Sequence, residues 1–213
     1  MYIFRWFYYI VSLILFSYGL TLTMSLQYLG LHPWDVLSVG LHNKLGFSIG
    51  TWNIVIGVVL VGVSWKLDKQ YIKFGTFLSI FIVGFCIDFF LWLDFSFNAT
   101  NSWLDIIKIM IGIAIMGIGG GLINSARIGS GPRDGFMLSI SDKTGKSIAT
   151  VRIITESIVL LLGWILGGPV YFFTFIFTFI QSPIFQFSYH TGCKFINWLE
   201  RTRITDTSIS KEG

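Results

Sequence analysis

The sequence predicts an all-α membrane protein: six transmembrane helices in two inverted three-helix repeats, each with a short re-entrant or interfacial helix. Three observations carry the prediction. The chain is apolar, with 54% hydrophobic and 12% charged residues among 213 and a mean hydropathy of +0.72, where a soluble domain carries about 25% charged residues. Six apolar runs reach the ~17–25 residues that a helix needs to cross a bilayer. A motif, Gly30-Leu31-His32-Pro33-Trp34-Asp35, returns as Gly129-Ser130-Gly131-Pro132-Arg133-Asp134, 99 positions on. The match runs without a gap to Trp65 and Trp164, with ten identities over 36 positions, including Lys44/Lys143, Gly46/Gly145, Ser48/Ser147 and Thr51/Thr150.

The first run, about 4–27, follows the single early charge Arg5. It has the look of a signal peptide, but no small-x-small cleavage site follows. It also aligns with the internal segment 102–127, so it is expected to stay as the first span. The second and third runs, 48–66 and 74–93, are separated by Lys66-Leu67-Asp68-Lys69-Gln70 and Lys73. Residues 94–102, with Asn98 and Asn101, separate the third from the fourth, 103–126. The fifth and sixth, 148–166 and 169–188, are divided by Gly167-Gly168-Pro169, a minimal turn. The organisation is then a first repeat over 1–98, a second over 99–190 and a polar cytoplasmic tail over 191–213. Three spans per repeat is an odd number, so the second copy enters the bilayer from the other side.

Between each motif and the next span lies a segment of about ten residues, Val36–Asn43 and Gly135–Asp142. As a helix it covers roughly 15 Å, half a bilayer. Pro33 and Pro132 fall at the first helical position, where a missing N–H costs nothing. Asp35 and Asp134 fall at the third, favoured by the helix dipole and by capping. Ser48 with Thr51, and Ser147 with Thr150, are natural caps for the spans that follow. The Lys and Arg distribution orients the chain. With both termini cytoplasmic, Arg5, the Lys66–Lys73 loop, the Arg127–Lys146 segment and the tail are inside, leaving Lys44 and Lys108 outside. The first motif copy is then expected at the outer face and the second at the inner.

The runs LGLHPWDVLSVGLHNKLGFSIGTWNIVIG and IGSGPRDGFMLSISDKTGKSIATVR, with the LLGWILGGPV turn, resemble the YczE/YyaS/YitT family of bacterial multi-pass membrane proteins, closest to its YczE-like branch. The resemblance covers about residues 4–188 and implies an integral membrane protein, without implying a solute. One departure is Phe173-Thr174, where similar proteins tend to have Gly-Thr.

Ionisable groups within spans are costly, at least about 2.5 kcal/mol each at a helix centre, so the few present are the candidate site. Asp35 and Asp134 either cap their own short helices or line a solute path, with Pro33, Pro132 and Arg133 beside them. Arg152 and Glu156, four apart, share a helix face. They are either a self-neutralising pair with the arginine reaching the interface, or polar contacts to substrate, to Asp134 or to Asp88. Their repeat equivalents are Asn53 and Gly57. Asn53 and Asn124 read first as interhelical hydrogen-bonding groups. Asp88, near the outer end of its span, is expected to reach the interface. His32 reads as a lone polar residue, since its repeat partner is Gly131. Gly117, Gly119, Gly120 and Gly121 read as a close-packing strip rather than a phosphate loop, with no strand before them and no Lys-Ser/Thr after.

These features predict a small-solute secondary transporter or permease of the bacterial plasma membrane, with the two motifs as pseudo-symmetric gates and the lipid bilayer as surroundings. The alternative is a non-transporting regulatory or scaffold protein acting through helix contacts. No enzyme is expected, because no nucleophile–base arrangement occurs. Nor is a cofactor or metal site, since there is no CxxC and no ligand spacing. The net charge of +4 is scattered between spans, so no nucleic-acid partner is expected. A unit this small leaves a homodimer open, although no GxxxG face marks its contact.

Overall fold

The computed structural model describes residues 2–68, 72–93 and 102–212, with the side chains of 148, 149, 178 and 203–212 excepted. The polar breaks at 69–71 and 94–101 lie outside the described residues. Eight helices follow in order: α1 (Tyr2–Ser25), α2 (Pro33–Leu45), α3 (Ile49–Leu67), α4 (Phe74–Trp92), α5 (Trp103–Ser125), α6 (Pro132–Thr144), α7 (Ile148–Ile165) and α8 (Phe172–Glu212), with no strand among the described residues. By length and composition α1, α3, α4 and α5 can cross a membrane. The last two apolar runs form α7 and the first part of α8. Caps set the boundaries as expected: Ser48 Oγ accepts from the Thr51 amide at 3.0 Å and Ser147 Oγ from the Thr150 amide at 3.2 Å.

The polar tail from residue 191 is helical, because α8 continues as one helix to Glu212. Nothing between 191 and 212 stops a helix except Gly192, and Gly192 is closely packed: a Cβ there would lie 2.3 Å from Ser125 Oγ. Beyond it, Phe195 meets the rings of Phe4 and Tyr8, Ile196 is buried, and Arg5 pairs with Glu200. The first turns of the tail are therefore held against the start of α1.

α5 lies between α1 and α8, α4 packs on α1 and α3, α2 packs on α7 and α3, and α6 on α3 and α7. Without a hydrophobic drive between helices in lipid, close backbone approach supplies the attraction. The glycine strip of α5 provides it on two sides. A Cβ on Gly119 would lie 2.7 Å from the Phe16 amide nitrogen of α1, and one on Gly121 2.6 Å from the Phe185 carbonyl oxygen of α8.

The contacts define two ends. Trp6 stacks edge-on against Phe74, and Lys73 Nζ reaches the Arg127 carbonyl, so Arg5, Lys73, Arg127 and Glu200 share one end. At the other, Tyr28 donates to Asp105 at 2.5 Å, a bond that pushes the phenol up to about 12. The Asn43 amide lies near the Gly167 carbonyl at 3.4 Å. The short helices start between these ends. His32 and Trp34 before and in α2, and Gly131–Asp134 at the start of α6, open beside Leu13 and Met116, close to the midpoints of α1 and α5. α2 then runs toward the Gly167 end, while α6 leads into the start of α7, at the far end of that helix from Gly167. The expectation that the two motif copies sit at opposite faces is corrected accordingly. The chain turns back after α1 and after α5, and both helix starts meet in the middle.

Candidate functional site

Each motif begins with a glycine pressed onto the other half of the chain. Gly30 has φ +127, and a Cβ on it would lie 2.5 Å from the Thr174 amide nitrogen at the start of α8. A Cβ on Gly129 would lie the same 2.5 Å from the Thr76 amide nitrogen at the start of α4. Gly129 has no positive φ, so in the second copy the glycine serves close approach rather than a left-handed turn. Thr174 Oγ1 accepts from the Leu31 and Tyr171 amides at 3.1 and 3.2 Å, and Thr76 Oγ1 from the Lys73 amide at 3.4 Å. Phe173, where a small residue was expected, donates its amide to the Leu29 carbonyl at 3.0 Å and is itself buried.

Pro33 and Pro132 stand at the first helical turn, and neither His32 nor Gly131 supplies a side-chain cap. Asp35 and Asp134 make no capping bond to their own helices either; both reach across to other elements. Asp35, fully buried, accepts from Arg133 Nη2 at 3.1 Å. The same guanidinium lies 5.6 Å from the Trp34 ring centroid, a cation–π distance. One arginine of the second motif thus touches two residues of the first. Asp134 Oδ2 accepts from Asn124 Nδ2 at 3.2 Å, and its Oδ1 lies 3.5 Å from Arg152 Nη2. Glu156 Oε1 lies 3.9 Å from Arg152 Nε and 3.7 Å from His32 Nε2. The His32 ring stands edge-on to Phe177 at 5.4 Å.

These groups surround a cavity of about 130 Å³. Asn53, Asn124, Pro132, Arg133, Asp134, Arg152 and Glu156 line it, with His32 and Trp34. Pro33 and Asp35 do not: Asp35 sits behind Arg133 and acts through it. Arg152 does not turn out to the interface; its guanidinium lies between Asp134 and Glu156. Asn53 presents a buried Nδ2 with no hydrogen-bond partner.

Sequence reasoning set His32 aside because it lacks a symmetric partner, yet the histidine is buried beside Glu156 in the cavity wall. Its place next to the proline of the motif was the available clue. Asp88 also departs from expectation. It does not reach for the interface but accepts from the Gly50 amide at 2.8 Å and from Ser48, neutralising the start of α3. Asp88 therefore belongs to helix packing and not to the cavity.

The profile of a protein family described as of unknown function (DUF6198) matches residues 3–190. The uncharacterized membrane protein YczE of Bacillus subtilis is 32% identical over 207 residues, covering 97% of this chain and 95% of its own length. The uncharacterized protein YyaS of the same organism is 29% identical over 167 residues, 78% of this chain and 83% of that one. An uncharacterized protein of Haemophilus influenzae is 35% identical over 161 residues, 75% and 72% of the two chains. No solved structure matches.

Proposed function

The chain belongs to the DUF6198 family of unknown function, with a membrane protein among its relatives, and from that premise we propose that it is a small-solute secondary transporter or permease of the bacterial plasma membrane, with both termini cytoplasmic. Its six spans form two inverted repeats, α1–α4 and α5–α8, related by a pseudo-two-fold axis in the membrane plane. The repeat reading is supported by contacts that exchange partners: α2 on α7 as α6 on α3, and Gly30 on Thr174 as Gly129 on Thr76.

One observation carries the transport reading. The costly polar groups that bridge the helices also face one shared space. Asn53, Arg133, Asp134, Arg152 and Glu156 come from three helices, α3, α6 and α7, and converge on one cavity beside the midpoints of α1 and α5. Discontinuous short helices whose N-termini meet at mid-depth commonly build substrate sites in transporters. A scaffold gains nothing from holding a charged cavity open there.

The reading is tested by a thermal-shift screen of purified protein against small solutes and ions, followed by flux in proteoliposomes for each hit. A ligand at a hundredfold excess over Kd stabilises by about 2.7 kcal/mol. Asp134→Asn and Arg152→Gln are expected to weaken both stabilisation and flux. Hits that bind both variants as they bind wild type, or that show no flux, return the protein to the regulatory reading.

A further inference from the structure

Resting on the transport reading, we propose that the cavity takes a small zwitterionic carboxylate of the amino-acid class. Its carboxylate meets the N–H groups of Trp34, Asn53 and Arg152, and its ammonium lies toward Asp134 and Glu156.

Among the fully buried side-chain atoms of the described residues that line the cavity, those without a hydrogen-bond partner are all nitrogens. Trp34 Nε1, Asn53 Nδ2 and Arg152 Nε are buried, lack a hydrogen-bond partner and belong to residues lining the cavity. Each of these atoms donates and cannot accept. Arg152 Nε stands 3.9 Å from Glu156 Oε1, beyond hydrogen-bond reach. His32 Nδ1, also buried and unpartnered, can supply a fourth donor in the right tautomer. Trp34 is only 3% exposed and His32 only 8%. Among the fully buried atoms of the described residues, the carboxylate oxygen without a partner, Asp35 Oδ2, belongs to a residue behind Arg133 and outside the lining. A wall of unused donors is complementary to acceptor oxygens.

Charge narrows the class further. The lining holds two guanidiniums, Arg133 and Arg152, against two carboxylates, Asp134 and Glu156, and Asp35 stands behind them. A bare anion would add to a site with no positive excess, and a bare cation would leave the donors unmet. A molecule bearing both charges satisfies the donors and keeps the balance. Size narrows it again: a cavity of about 150 Å³ accommodates benzene, with its six heavy atoms. At 130 Å³ the present one suits a solute of similar size, such as alanine.

Isothermal titration of the purified full chain distinguishes the possibilities, using glycine, L-alanine and L-serine alongside propionate, ethylamine and L-alaninamide. At least one amino acid is expected to bind, with the three single-charge analogues weaker by about tenfold or more. Asn53→Leu removes one donor while keeping shape, and Trp34→Phe removes another together with part of a buried ring. Each is expected to weaken the amino acid about tenfold, with Asn53→Leu leaving unliganded melting and gel-filtration behaviour near wild type and Trp34→Phe lowering the melting temperature. Two separate sites guard against one variant failing to fold. Propionate or alaninamide binding as tightly as the amino acid overturns the zwitterion, as does a panel that does not bind at all. If other solutes are still transported, only the substrate class has failed. If no solute binds or crosses, the transport reading has failed with it.

Discussion

Arg133 is the residue on which the two motifs depend. It bonds to a carboxylate with no solvent exposure and lies against the Trp34 ring. Removing one member of a buried pair strands the other, at a cost of about 3–5 kcal/mol. Arg133→Ala is therefore expected to lose stability in that range in reversible unfolding in mild detergent, and Asp35→Asn less, since an amide needs no counter-charge. The double variant should recover part of the loss; strictly additive losses would show that the pair is not coupled. Asp88 is the second such residue. Its carboxylate takes the Gly50 amide from a different helix, and Asp88→Ala is expected to cost about 1.5–3 kcal/mol, the range for a hydrogen bond to a charged group. A loss within a few tenths of zero would return it to the interfacial role read from its position.

At the scale of elements, helix pairs are set by where glycine lets backbones meet. A Cβ on Gly50 of α3 would lie 2.1 Å from the Gly84 carbonyl of α4, backbone that cannot swing aside. Gly50→Ala is expected to destabilise by about 1–3 kcal/mol or more. Gly62, in the same helix, has nothing within 4 Å of a built Cβ. Gly62→Ala is therefore expected to be neutral or to gain up to ~1 kcal/mol from helix propensity. Equal effects at the two sites in a thermal-unfolding comparison would remove the close-packing account. The contact between α2 and α7 follows the same rule, since a Cβ on Gly163 would lie 2.7 Å from the Leu37 amide nitrogen. In the equivalent contact between α6 and α3, serines stand at the repeat positions, Ser139 for Gly40 and Ser64 for Gly163, both buried. The glycine strip of α5 could be read as packing from the sequence because no loop chemistry surrounds it. Which glycine faced which neighbour could not, because four glycines in five positions point all round a helix.

For the whole molecule, the proposed orientation has a direct test. Lys44, in the last turn of α2, and Lys146, in the connection that follows α6, are both exposed. With Cys86 and Cys193 replaced by serine, Lys44→Cys is expected to react with a membrane-impermeant thiol reagent on intact cells. Lys146→Cys should react only after permeabilisation. The reverse pattern would overturn cytoplasmic termini, and labelling of both from one side would overturn the inverted repeat.

The sequence by itself determined what depends on neighbours along the chain. Hydropathy marked the apolar runs, Ser48 and Ser147 marked helix starts, and the 99-residue spacing paired the two halves. The Asp134–Arg152 contact was within its reach too, because the two residues lie 18 positions apart on successive helices. Only the tertiary structure decided the rest: that both motif copies meet beside the midpoints of α1 and α5, that Arg133 reaches Asp35 across 98 positions, that Asp88 closes a different helix, and that His32 joins Glu156. The physical reason is that a charge buried in an apolar surrounding takes whichever partner the packed helices bring within about 3–4 Å. That choice follows from close backbone contacts such as Gly30 on Thr174, which leave no periodicity in the chain.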